Sequence, residues 1–173
     1  MKRRCTVVLL SGLLLLGASI VESQSEPIDL YVDPIVGTWK LNPARSTINV
    51  AILERFPVPP NQVEVYRSLE DDRIQMVWTG SDANGSSVSS TTIWPARGGV
   101  TQDESGRVSR GMTITTVIGP GYLYVTHLED GQQSYFVKKM VHGDGRTMTQ
   151  TIVAAPNTPA GRLFEHVLVW DRQ

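Results

Sequence analysis

VGTWKLNPARS, residues 36–46, is where the chain begins to read as a folded domain. A glycine, a tryptophan two residues later and an alternating Lys40-Leu41-Asn42 run make a first strand that commits a large indole at once. From there onward the sequence is short alternating segments separated by turn residues. Val63, Val65 and Leu69 alternate with Glu64 and Ser68 across 62–70, and Ile74, Met76 and Trp78 alternate with Gln75 and Thr79 across 73–80. A polar, β-branched segment fills 86–94 and a short VTQ stands at 100–102. Further segments follow at 111–118, 122–128, 133–141 and 146–154, and FEHVLVWDR at 164–172 closes the chain.

A period of two, enrichment in Val, Ile, Thr, Tyr and Trp, and Asn-Gly or Asp-Gly at the turns predict eight to ten strands joined by hairpins. No window carries a helical period of useful length. Successive hairpins give an antiparallel, up-and-down meander. Such a sheet has two edges to hide, and closing into a barrel removes them. The expected fold class is therefore all-β, an antiparallel up-and-down barrel of eight to ten strands, with two stacked sheets as the alternative. The one long irregular connection, ILERFPVPPN at 52–61, contains three prolines. It reads either as a lid across a barrel mouth or as a surface loop packed by its own Phe56.

The first segment stands apart from this pattern. Lys2, Arg3 and Arg4 precede the apolar run TVVLLSGLLLLGASIV, and small residues at cleavage spacing follow near Ser23 and Ser25. That order predicts a secretory signal helix over 1–24, a leader over 25–34 and a barrel over 35–173. The run is shorter than the ~20 residues a spanning helix needs, so no stable membrane insertion is expected after its removal. Cys5, the only cysteine, precedes the apolar run, which is the wrong side for lipid attachment. The remainder has no disulfide to rely on and needs a full hydrophobic core. The chain has 16 basic and 17 acidic residues; without Lys2, Arg3, Arg4 and Glu22 the balance is 13 against 16, a net charge of −3. The charges are scattered, with none of the basic footprint that phosphate neutralisation requires, so nucleic acid is not expected as a partner. Nothing in the sequence bears on oligomeric state.

Gly37-Thr38-Trp39-Lys40-Leu41 at the head of a β-meander resembles the first strand of the calycins, the superfamily of the lipocalins and fatty-acid-binding proteins. The longer run through Ser46 resembles the opening of secreted bacterial lipocalin-like proteins. Asp144-Gly145-Arg146-Thr147-Met148-Thr149 resembles a later hairpin of that group, and residues 166–173 its closing strand. The resemblance implies a lipocalin-like barrel in which Trp39 plugs one end and Arg172, from the last strand, stacks on it. Such a cation–π contact contributes roughly 0.5–2 kcal/mol. Two departures matter. Fatty-acid-binding proteins hold the ligand carboxylate with an arginine two residues before the last-strand aromatic; with Trp170 as that aromatic the position is Leu168, which binds no anion. Their helix-turn-helix lid also has no counterpart, because proline interrupts the equivalent stretch.

With Trp39 inward, strand alternation nominates residues for the lumen. Met76 and Trp78 share a face with Ile74. Arg67 lies in phase with Val63, Val65 and Leu69, and is either a buried cation awaiting an anionic or carbonyl ligand or a strand-end side chain reaching solvent. Tyr124, with Tyr122 and Thr126, opposes Leu123, Val125 and His127, and either face fits the interior. Tyr135, Val137 and Lys139 alternate with Ser134, Phe136 and Lys138 with the same ambiguity. His166 shares a face with Leu168 and Trp170. His127, His142 and His166 lie on separate segments without metal-ligand spacing, and neither a nucleophile elbow nor a phosphate-binding glycine loop is present, so the sequence calls for no metal and no cofactor.

These features predict an exported, periplasmic or secreted barrel that binds a small, largely apolar molecule in its lumen through Arg67, Met76, Trp78, Tyr124 and His166. Two alternatives use the same fold: an enzyme (isomerase, cyclase or lyase) acting on an apolar substrate, and a filled structural barrel with no ligand.

Overall fold

The alternating segments form strands β1 (Gly37–Leu41), β2 (Val63–Leu69), β3 (Arg73–Ser81), β4 (Ser87–Pro95), β5 (Gly99–Val100) and β6 (Gln102–Asp103). They continue as β7 (Met112–Gly119), β8 (Tyr122–Glu129), β9 (Gln132–Val141), β10 (Thr147–Ala154) and β11 (Phe164–Arg172). A computed structural model of the chain describes residues 32–53, 56–82, 84–104, 106, 111–154 and 163–173. The expected signal helix, and the leader up to residue 31, lie outside the described residues. Among the described residues no helix is long and apolar enough to cross a membrane.

All pairings are antiparallel, in one sheet of order β5-β7-β8-β9-β10-β11-β1-β2-β3-β4-β6. Its two edges, β5 and β6, are the two halves of one segment, 99–103. One half pairs with β7 through Gly99↔Thr115 and the other with β4 through Thr92↔Asp103. The sheet thus runs round into a nearly closed barrel, as the edge argument requires. The strand count exceeds the expected eight to ten because the predicted VTQ strand divides into these two pairings at Thr101.

First and last strands meet through Trp39↔Arg172 and Leu41↔Trp170. At this end Trp39 is fully buried, its Nε1 donates to the Ile35 carbonyl at 2.7 Å, and the Arg172 guanidinium lies 4.4 Å from the indole centre. Arg172 Nε donates to the Gly145 carbonyl at 2.6 Å and Nη1 to Val36 at 2.9 Å; Nη2 donates to Pro34. The half-buried cation therefore ties three chain segments around the plug. Trp39 also joins Leu41, Tyr66, Ile74, Trp94, Leu123, Met148, Leu168 and Trp170 in one buried cluster.

The proline-containing connection crosses the other end. Thr47 bridges to Val167, and a 3-10 turn at Val50–Ile52 buries Ile52. Phe56 packs edge-on against Tyr135, with ring centres 4.9 Å apart. Tyr135 pairs with Ala154, which pairs with Phe164 at the start of β11, so this contact lies at the end of the barrel remote from Arg172. Both sequence readings of the segment hold in part: Phe56 packs it down, and what it packs on is the barrel mouth.

Candidate functional site

In an antiparallel pair, residues directly opposite share a face. Trp39 faces inward, and Glu64 lies opposite it on β2, so Glu64 and its i±2 neighbours Gln62 and Tyr66 face inward as well. All three are buried. This reverses the expected phase of β2. Val63 and Val65 are half-buried on the outer face, and Arg67 is exposed there. Inward phases elsewhere bring Met76 from β3, Trp94 from β4, Leu123 and Val125 from β8, Val137 and Lys139 from β9 and Gln150 from β10 around a cavity of about 380 Å³.

The wall of this cavity carries a closed polar cluster. Lys139 Nζ donates to Glu64 Oε1 at 2.9 Å, to Glu64 Oε2 at 2.8 Å and to the Tyr66 hydroxyl at 2.5 Å. The Tyr66 hydroxyl in turn donates to Glu64 Oε2 at 2.6 Å. The Lys139 and Glu64 side chains are 7% and 4% exposed, so the charges are compensated away from bulk water. Burial, and then the adjacent Glu64 carboxylate, holds the Tyr66 hydroxyl well above the usual phenol range. Toward the covered end the polar groups are hydroxyls and an imidazole. Thr101 and Thr115 hydroxyls lie 2.9 Å apart, Thr113 Oγ1 lies 2.8 Å from His127 Nδ1, and the His127 ring stacks on Tyr135 at 4.8 Å.

Of the residues nominated from the sequence, Met76 lines this cavity. Trp78 lies above it, donating from Nε1 to Gln62 Oε1 at 3.0 Å and facing a groove under residues 57–61. Tyr124 sits on the outer face, its hydroxyl 2.8 Å from that of Tyr122, because Leu123, Val125 and His127 take the inner phase. That hydrogen bond to Tyr122 raises the Tyr124 hydroxyl above its ordinary range. His166 is fully buried but tethers the lid: its Nδ1 accepts from the Asn49 N–H at 2.9 Å, and Nε2 lies 3.2 Å from the Phe56 carbonyl. Burial lowers its pKa, partly opposed by the bond to Phe56. Sequence reasoning missed Glu64, Tyr66, Trp94 and Gln150, and left open whether the face with Tyr135, Val137 and Lys139 points inward, as it does. An in-phase Glu64/Tyr66 pair and an in-phase Lys139 are complementary, and that was the available signal. Among the described residues no three His, Cys, Asp or Glu side chains converge as metal ligands.

No family model matches the chain, and no curated protein is similar enough to be matched to it. Among solved structures, the fluorescent protein UnaG aligns over 83% of this chain and 100% of its own, at 12% identity and a TM-score of 0.53. A point mutant of UnaG aligns over 83% and 99%, at 12% identity and a TM-score of 0.54. The siderocalin Ex-FABP aligns over 81% and 71%, at 13% identity and a TM-score of 0.36, too distant to support an argument. The likeness to UnaG, at 12% identity, is one of fold alone, an antiparallel and nearly closed β-barrel.

Proposed function

We propose that this chain is an exported barrel that binds a small, largely apolar molecule in its lumen. The observation that carries the reading is a luminal cavity of about 380 Å³, within the roughly 300–1,000 Å³ of small-molecule pockets. Its lining is mostly carbon, from Met76, Leu123, Val125, Val137 and the rings of Tyr66 and Trp94, with a few buried polar groups among it. That composition suits a ligand whose affinity comes from apolar surface removed from water at roughly 25 cal/mol per Å². The volume favours this reading over a filled structural barrel. Arg67, Tyr124 and His166, which the sequence offered to a ligand and to an enzyme alike, do not border the cavity. The basic start and apolar run of residues 1–24 support export, as does the resemblance of residues 36–46 to secreted bacterial lipocalin-like proteins.

The test is to incubate the chain with a total apolar extract and weigh the complex by native mass spectrometry while following tryptophan emission. A retained compound that alters emission, chiefly from Trp94, is expected. Neither a retained compound nor an emission change would remove the reading. Export is tested separately by the mass of the mature chain, which should begin near residue 25.

A further inference from the structure

The chain has four lysines, of which Lys40, Lys138 and Lys139 lie among the described residues. Lys40 is exposed, and Lys138 lies on the outer face of β9 with its ammonium 5.6 Å from the Tyr122 ring centre. Lys139 alone of the three turns inward. Its side chain keeps 7% of its surface accessible, and the space it borders is the cavity. Its head group projects well into that space. Lys139 stands on β9 and Glu64 on β2, with β10, β11 and β1 between them in the sheet. Neighbouring strands lie about 4.8 Å apart, which sets the two positions roughly 19 Å apart along the sheet. Lys139 Nζ is nevertheless 2.8 Å from Glu64 Oε2, so the two side chains meet by reaching across the interior. Stability alone does not account for this pair, because a buried ion pair is often no more stabilising than apolar side chains of similar volume.

Charge balance limits what the pair can do for a ligand. The three Nζ protons already meet three acceptors, two on Glu64 and one on Tyr66. A ligand carboxylate or ammonium would add a buried charge that the cluster has no free group to balance. A neutral carbonyl compound adds none. An ammonium and an aldehyde give a protonated imine and water, and the positive charge stays on the same nitrogen beside the same carboxylate. We infer that Lys139 captures an apolar aldehyde as a protonated imine, with Glu64 as proton acceptor and then counter-ion. Glu64 takes one Nζ proton, and the freed lone pair forms the C–N bond as the carbonyl π bond opens onto oxygen. A second Nζ proton reaches that oxygen through the Tyr66 hydroxyl, which gives one proton and regains one. Burial and the Glu64 carboxylate keep Tyr66 in its phenol form for this exchange. The proton held by Glu64 then carries the oxygen off as water, the C–O bond breaks and the C=N bond closes. The third proton stays on nitrogen, facing Glu64. The inference rests on the binding reading above and deepens it, assigning the ligand class and the residue that holds it.

The test is reductive trapping. The folded chain is incubated with decanal and sodium cyanoborohydride near neutral pH, and the sites of decyl attachment are mapped by peptide mass spectrometry. Labelling of Lys139 should exceed that of Lys40 and Lys138, the internal controls, by at least ten-fold. Saturation with the neutral dye N-phenyl-1-naphthylamine should suppress labelling at Lys139 and leave the two controls unchanged. In Tyr66→Phe, checked by circular dichroism, Lys139 should be labelled at least ten-fold more slowly, again with the controls unchanged. Labelling spread evenly over the three lysines, or confined to Lys40 and Lys138, would overturn the inference. Labelling of Lys139 that the dye does not reduce would overturn it too, since the reaction would then lie outside the lumen. An unchanged rate in Tyr66→Phe would overturn the proton route. In each of these cases the bound dye leaves the binding reading standing. Failure of the dye itself to bind would remove the binding reading, and this inference with it.

Discussion

At residue 37 the backbone admits only glycine. Its φ of +141° is one that side chains rarely adopt, and a Cβ built there would lie 2.6 Å from Arg172 Nη1. The glycine two residues before the plug therefore exists to let the guanidinium reach the indole. Gly37→Ala should destabilise the barrel by about 1–3 kcal/mol, read as a lowered urea midpoint with an unchanged slope. His166 gives a pH effect of definite sign. As a neutral ring it accepts from Asn49, and burial lowers its pKa in the folded state. The unfolded chain thus binds the proton more readily, so this contribution is complete above the unfolded value of about 6.5 and is lost as pH falls through the window below it. Urea midpoints at pH 7.5 and 5.0 should differ more for the parent chain than for His166→Gln; equal differences would remove the assignment. Trp39 and Arg172 are legible through the resemblance of the first strand to the lipocalins, which implies a plugging tryptophan and a last-strand arginine stacked on it. Arg67 and Tyr124 lie on outer faces, Arg67 because the more apolar face of β2 is the one that points outward, whereas His166 does share the inner face with Leu168 and Trp170 but sits at the covered end, bonded to Asn49 and Phe56 rather than bordering the cavity.

At the scale of elements, the hairpins were readable because their turns demand particular residues. Asp72 and Asp130 adopt φ of 57° and 50°, Gly131 follows Asp130 in the same turn, and Gly121 and Gly145 take positive φ at two other tight turns. Strand faces were not readable in the same way. On β2 the apolar residues Val63 and Val65 point outward, and the inward phase belongs to Gln62, Glu64 and Tyr66. Only the register with β1 reveals this, because Glu64 must follow Trp39 inward, and register is a tertiary fact. Burying Glu64 is tolerated because β9, four strands away round the sheet, supplies Lys139. Removing one member alone, as in Lys139→Met, should cost about 3–5 kcal/mol, since it leaves a buried carboxylate uncompensated. Adding Glu64→Leu to that variant should recover most of the loss. A urea double-mutant cycle measures both steps, and additive losses would mean that the two charges are independently solvated.

For the whole molecule, the sequence specified a meander that must hide its edges, and the structure hides them with one segment, 99–103, shared between β4 and β7. What it withheld was the interior, which depends on how eleven strands place their inward residues around a common axis. The barrel is stoppered by Trp39 and Arg172 at one end and covered by Phe56 at the other, with a cavity of about 380 Å³ in its lumen. The most direct test of the claim that this space holds a ligand is to block it. Val125 points into the cavity between Leu123 and His127, whereas Thr116 is exposed on the outside of β7. Titration with N-phenyl-1-naphthylamine should give one bound dye per parent chain and per Thr116→Trp chain, and none for a folded Val125→Trp chain. Equal dye binding by the blocked and unblocked proteins would contradict the account.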